Sequence, residues 1–136
     1  MQVKNKAKSK AKARVLIVED ETLLSMVVED ALVDEGYEVV GTARNEREAV
    51  SLAVAHAPDL VLMDIRLAGN SDGIAAAAQI LERTGIRCLM ATAFTDDRTR
   101  ARAEPVQPLG WLAKPYDQHD MVEAVAQALR RRKAGS

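Results

Sequence analysis

"VLMDIRLAGNSDG", Val61–Gly73, ends an apolar run on a carboxylate and then enters a turn-rich loop. Leu60, Val61, Leu62 and Met63 run without a polar break, the pattern of a strand covered on both faces, and Asp64 follows at once. Such an acid either marks where the chain leaves a sheet or is held there for use. What the other strands end in decides between the two.

Strand and helix signals alternate five times. "RVLIV" (Arg14–Val18), "YEVVGTA" (Tyr37–Ala43), "LVLM" (Leu60–Met63), "IRCLMA" (Ile86–Ala91) and "GWLA" (Gly110–Ala113) read as strands. A helix is predicted from about Thr22 to Glu35, stopped by Gly36. Its apolar face is read as Leu24, Val28 and Leu32, flanked by Leu23, Val27 and Ala31. Asn45 with Glu48 three residues later opens a second helix to about His56, and Asp72 caps a third over Ile74–Arg83. Asp96–Ala103 gives a short fourth helix, because Pro105 and Pro108 forbid its continuation; they are expected to leave the loop before the last strand loose. Asp117 caps a fifth helix to about Arg132, with Met121, Val122, Val125 and Leu129 on its apolar face. Five βα units in this order predict an α/β domain: a doubly wound, mostly parallel sheet with helices on both faces. In such a sheet the functional crevice lies beyond the carboxyl ends of the strands.

Composition narrows the class. At 136 residues, 48% hydrophobic and 29% charged, the chain has the make-up of one globular domain. No apolar run approaches the ~20 residues of a membrane span, and no signal-like apolar stretch stands at the N-terminus, so no membrane association is expected. The single cysteine, Cys88, excludes an internal disulfide framework, lies in a strand-like run as a core thiol, and fits a cytoplasmic location. Residues 1–14 carry six bases and no acid; taking these from the 19 bases leaves 13 against 20 acids, a net charge of about −7 on the body. We read residues 1–13 as a disordered basic tail and 14–133 as the folded domain. The acidic body argues against nucleic acid as a partner beyond weak, salt-sensitive contact.

The predicted strand ends are chemically rich. The first leads into Glu19 and Asp20, the third into Asp64, the fourth into Thr92 and the fifth into Lys114-Pro115. Three carboxylates at one crevice repel unless a cation lies among them. With oxygen donors only, and neither His nor Cys among them, that cation is hard, and Mg²⁺ fits. Lys114 offers a point charge, and Thr92 a hydroxyl, to phosphoryl oxygens. No "GxxxxGK" loop is present to hold a nucleotide, and no His stands at a strand end as a base. The remaining nucleophile is a carboxylate, and Asp64, at a central strand tip, is best placed to accept phosphate.

The chain resembles the receiver domain of two-component response regulators. The resemblance rests on "VLIVEDE" (Val15–Glu21), "LVLMDI" (Leu60–Ile65), "DGIAAA" (Asp72–Ala77), "ATA" (Ala91–Ala93) and "GWLAKPY" (Gly110–Tyr116), and covers Val15 to about Leu129. It implies a flavodoxin-like five-stranded sheet of order 2-1-3-4-5 with five helices, and phosphotransfer from a sensor histidine kinase or histidine phosphotransfer protein to Asp64. It further implies Mg²⁺ held by Asp20 and Asp64, by Glu19 through water and by the backbone carbonyl of Arg66. Thr92 and Lys114 would grip the phosphoryl group, Lys114-Pro115 would be cis, and Thr92 with Trp111 would form the switch. Trp111 stands where the family carries Tyr or Phe. Arg66 lies two residues past the acceptor, and the loop Ile65–Gly73 lacks the common Met-Pro pair and is one residue longer. We expect a single-domain regulator, monomeric or weakly dimeric, that signals through an unknown downstream protein or a phosphorelay. The alternative is a pseudo-receiver that binds without being phosphorylated. An aspartyl phosphatase would want a second acid where Arg66 stands.

Overall fold

The computed structural model describes residues 11–67, 72–93 and 96–135. Five strands, β1 (Arg14–Val18), β2 (Glu38–Ala43), β3 (Leu60–Asp64), β4 (Cys88–Thr92) and β5 (Gly110–Ala113), form one parallel sheet ordered β2-β1-β3-β4-β5. Among the described residues, five α-helices follow them: α1 (Thr22–Asp34), α2 (Glu46–His56), α3 (Gly73–Thr84), α4 (Asp97–Ala103) and α5 (Gln118–Gly135). The fold is the flavodoxin-like one expected, with a short fourth helix.

The period-two alternation of strand side chains divides the core into two layers. Leu16 and Val18, Val61 and Met63, and Cys88 and Met90 face α2, α3 and Ala103 of α4. Val15 and Ile17, Leu60 and Leu62, and Leu89 and Ala91 face α1 and α5. The central strands are therefore apolar on both sides, which accounts for their unbroken runs. Cys88 is a buried core thiol, pushed up to about 12 by its burial.

Side-chain caps start the helices where the sequence places them. Asn45 Oδ1 accepts from Glu48 N–H (2.9 Å), Asp72 Oδ1 from Ile74 N–H (2.8 Å), Asp96 Oδ1 from Thr99 N–H (2.8 Å) and Asp117 Oδ1 from Asp120 N–H (2.8 Å). Glu48 Oε1 takes the N–H of Arg44 (2.8 Å), one residue before the cap. α3 ends on left-handed Gly85, but α2 ends on left-handed Ala57, which strains a residue with a Cβ. Arg14 offsets that strain by donating from Nη1 to the carbonyls of His56 (2.7 Å) and Ala57 (3.2 Å).

Three details differ from the expectations. The buried face of α1 is Ser25, Val28, Ala31 and Leu32; Leu23 and Val27, predicted beside it, are 78% and 58% exposed, and Met26 is 55% exposed. The helix is apolar nearly all round, so periodicity alone does not select the inward side. Before β5, Pro105 does not leave a loose loop. It enters a 3₁₀ turn, Glu104–Val106, pinned by buried Val106 and Leu109. Finally, Lys12 and Ala13, assigned to the tail, are bonded to the domain. Lys12 N–H donates to Gly36 O (3.0 Å), Glu38 N–H donates to Ala13 O (2.9 Å), and the Lys12 ammonium lies 5.4 Å from the Tyr37 ring centroid. Residues 1–10 of the basic tail, and the centre of the lengthened loop after Asp64, lie outside the described residues. Among the described residues, no helix is long and apolar enough to cross a membrane.

Candidate functional site

Glu19, Asp20, Asp64, Thr92 and Lys114 all stand at the carboxyl edge of the sheet, whereas Trp111 does not. Asp64 is the last residue of β3 and Thr92 the last of β4. Glu19 follows β1 directly and is held in line by its N–H bond to Ala43 O (2.9 Å). Lys114 follows β5, and its N–H bonds Thr92 O (2.9 Å), tying the two strand ends together. Glu19, Asp64 and Thr92 are 5%, 4% and 2% exposed, so three polar residues are buried where a structural sheet end would carry apolar ones.

Lys114 is the hub. Its Nζ lies 3.0 Å from Asp64 Oδ2 and 3.2 Å from Glu19 Oε1. The second oxygens accept from the backbone: Glu19 Oε2 from Glu21 N–H (3.2 Å) and Asp64 Oδ1 from Arg66 N–H (3.3 Å). Carboxylate oxygens of Glu19, Asp20 and Asp64 lie within 4.8 Å of one another. Burial, with the charge of Asp64, pushes Glu19 up to about 7 despite Lys114 and the Glu21 N–H. Burial also holds Asp64 above the usual carboxylate range, against the pull of Lys114. Burial works against charge on Lys114, but the bonds and charges of Asp64 and Glu19 more than offset it and raise its pKa.

One ammonium among three acids leaves the cluster short of positive charge. The donors are all oxygen and converge within one ion's reach, and burial, with repulsion between them second, raises the pKa values of Glu19 and Asp64. That set suits a hard divalent cation that keeps waters, as Mg²⁺ does. Arg66 lies at the rim with its side chain exposed and pairs in an isolated antiparallel bridge with Asp72. Trp111, at the start of β5, packs on the core layer of α3 and α4, with the Arg100 guanidinium 4.9 Å from its ring centroid. The Lys114-Pro115 bond is cis.

Sequence reasoning left two features of the site without a role. Gly73 opens α3 so close to β3 that its N–H bonds Ile65 O at 2.7 Å, and a Cβ there would lie 2.1 Å from the Asp64 carbonyl oxygen. Beside Lys114 lies a pocket of about 400 Å³ lined by Glu21, Leu24, Ala93, Lys114, Pro115 and Tyr116. Burial, then the charge of Glu19, pushes Tyr116 up to about 12. The "EDE" and "KPY" triplets held the signal, since Glu21 and Tyr116 flank the site residues directly.

Fold and site together define a sheet-edge acidic cluster with one lysine, and the sequence places it in a family. The chain belongs to the response regulator receiver domain family, which it matches over residues 15–126. It is 40% identical over 118 residues to the transcriptional regulatory protein PdtaR of Mycobacterium tuberculosis, covering 87% of this chain and 57% of that protein. It therefore spans little more than half the length of that relative. Chemotaxis protein CheY of Bacillus subtilis is 33% identical over 117 residues, covering 85% of this chain and 97% of that protein. Among solved structures, the signal receiver domain of a modulated diguanylate cyclase from Desulfovibrio desulfuricans superposes with a TM-score of 0.81 at 34% identity, covering 91% of this chain and 98% of that one. The response regulator PhyR from Brucella abortus gives 0.75 at 34% identity, covering 96% and 53%.

Proposed function

We propose that Asp64 accepts a phosphoryl group from the phosphohistidine of a sensor kinase or histidine phosphotransfer protein, and that the chain signals through protein contacts or a phosphorelay. The observation that carries this reading is the Lys114 Nζ bond to Asp64 Oδ2 at 3.0 Å, inside a buried acidic cluster at the strand ends.

A carboxylate oxygen of Asp64 attacks phosphorus, the P–N bond breaks, and its electron pair returns to the donor ring, leaving an acyl phosphate. Lys114, already fixed by two carboxylates, follows the charge onto a phosphoryl oxygen, and the Thr92 hydroxyl donates to another. Glu19, Asp20, Asp64 and the carbonyl of Arg66 would hold Mg²⁺, which when bound neutralises phosphoryl oxygens and lifts the repulsion among the acids. The chain thus acts on its own phosphate and turns over no separate substrate, in the cytoplasm where such donors act. Thr92 and Trp111 carry the change outward, Thr92 by moving toward the new oxyanion and Trp111 by responding beneath Arg100.

The exposed side of α1 serves the donor protein in this reading. Leu23, Met26 and Val27 form an exposed apolar stripe one helical turn from the site, of a kind that marks a docking surface for a partner helix. Intact-mass measurement after incubation with acetyl phosphate and Mg²⁺, then with a phosphorylated donor protein, tests the proposal. Wild type gains one phosphate, Asp64→Asn gains none, and Asp20→Asn gains less through weaker Mg²⁺ binding. Undiminished labelling of Asp64→Asn would sink the assignment, and an unlabelled wild type would favour a pseudo-receiver.

A further inference from the structure

Helix α1 turns to solvent a face that is both apolar and acidic. We propose that residues 1–10 of this chain dock along that face, their lysines on its carboxylates, and so cover the Leu23, Met26 and Val27 stripe. The seat does not depend on Asp64 being the acceptor, though a donor protein using the stripe would have to displace the tail.

The face is continuous and its charge is one-sided. Leu23, Met26, Val27, Asp30, Val33 and Asp34 are all exposed and step by three and four, so they line one side of α1 from end to end. From Glu21 to Glu35 the chain carries Glu21, Glu29, Asp30, Asp34 and Glu35 and no base, whereas each of the other described α-helices holds at least one Arg. Among the described residues, Glu29, Asp30 and Asp34 have no ion pair. Asp34 and Glu35 stand at the C-terminal end of α1, where the backbone dipole is already negative and a cation is favoured. The last turn of the helix contains none.

The tail meets the domain at that same end. Lys12 N–H donates to Gly36 O (3.0 Å), and Lys12 Nζ lies 3.7 Å from Glu35 Oε1. Before it, Lys4, Lys6, Lys8 and Lys10 recur at every second residue with no acid among them. In a straight chain that repeat is ~6.6 Å, close to the ~6 Å axial step from Asp34 to Asp30. Ten residues reach at most ~35 Å and α1 is ~20 Å long, so the tail can run from Glu35 past Leu23. The tether keeps the lysines at high local concentration beside the acids, and salt weakens their pairing. Exposed ion pairs change stability little, so position rather than melting reports the seat.

The test attaches a nitroxide to the full chain through Asn5→Cys and reads backbone amide signals by NMR. Cys88 is buried and takes no label. At low salt the amides of Leu23, Met26 and Val27 should lose about half their intensity or more, while those of α3, on the opposite face of the sheet, keep theirs. Asp30→Asn with Asp34→Asn should reduce the loss about twofold, and so should Lys4→Gln, Lys6→Gln, Lys8→Gln and Lys10→Gln made together. Sodium chloride at about 0.5 M should act in the same direction on the unsubstituted tail and helix. Equal broadening of α1 and α3, or broadening of α1 that neither set of substitutions relieves, overturns the proposal. Broadening that disappears on dilution places the tail on a second copy of the chain and overturns it too.

Discussion

Gly73→Ala tests whether the start of α3 sets the position of the acceptor. The added Cβ would lie 2.1 Å from Asp64 O, 2.7 Å from Ile65 Cα and 2.9 Å from Asp64 C. Comfortable carbon contacts begin near ~3.5 Å, so helix and strand end must part by more than about 1 Å. All three atoms are backbone, and no rotamer change relieves them. Overpacking costs about 1–3 kcal/mol in general, and a clash with rigid backbone belongs at about 3 kcal/mol. For a domain of this size that lowers Tm by roughly 10 °C. The functional effect is separate: moving Asp64 about 1 Å from Lys114 should slow phosphorylation about 100-fold even where the variant is fully folded. Ile80→Ala is the control, because it removes a buried side chain from the same helix, should cost about 2–5 kcal/mol and leaves the strand end alone. Thermal melts and acetyl phosphate labelling well below Tm distinguish the two. If Gly73→Ala labels as fast as Ile80→Ala, the close approach of α3 does not position Asp64, and the reasoning is refuted.

Three further outcomes follow from the same geometry. Glu19 is raised from an ordinary 4.5 to about 7, so in the metal-free protein its contribution to stability is present below about 4.5 and lost as pH rises through about 7. Mg²⁺ must displace that proton, so its affinity should climb between pH about 5 and about 7 with proton release seen by calorimetry in different buffers; a flat profile refutes it. Lys114→Met leaves Glu19 and Asp64 without their shared ammonium, which should cost about 2 kcal/mol without metal, tighten Mg²⁺ binding and abolish most labelling; equal Mg²⁺ affinity would count against the charge argument. Removing residues 1–10 should leave Tm unchanged, whereas removal through Lys12 should cost about 1 kcal/mol by losing its backbone bond to Gly36 and its stacking on Tyr37; equal melting of the two truncations would refute the tether.

The parts legible in the sequence are those where one position carries one dominant constraint. Strands β1, β3 and β4 must be apolar on both faces, so their runs are unbroken and their ends show as abrupt polar residues. Glu19, Asp64 and Thr92 could be found for that reason, and Lys114 from its place before Pro115 at the end of β5. The caps at Asn45, Asp72 and Asp117 were legible because one side-chain oxygen has one local task, whereas Asp96, read as the first residue of its helix, caps it instead. The parts that were not legible depend on what comes close in space. Nothing in "SDGIAAA" says that the Gly73 Cα abuts the Asp64 carbonyl. Nothing in "KAKAR" says that Lys12 meets Gly36 and Tyr37. Pro105 looks like a helix breaker from sequence alone; that it enters a 3₁₀ turn depends on Val106 and Leu109 having a core to fill.

Helix α1 shows why a correct element can still be misread for function. Its apolar residues outnumber the places the core offers, so a pattern reader divides them into a main face and a flank and buries both. The structure buries Val28, Ala31 and Leu32 as read, adds Ser25, and turns Leu23, Met26 and Val27 to solvent. Three large apolar side chains left in solvent on one helix bury nothing in this chain alone, and such exposed patches mark contact surfaces. The exposed stripe lies next to Glu21 and Leu24, at the mouth of the pocket beside Lys114. The same holds of the strand ends, where three acids share one ammonium at a cost in stability. Departures from the best-packed sequence gather at one edge of the sheet, and they coincide with where a donor protein would have to sit and where its phosphoryl group would have to go.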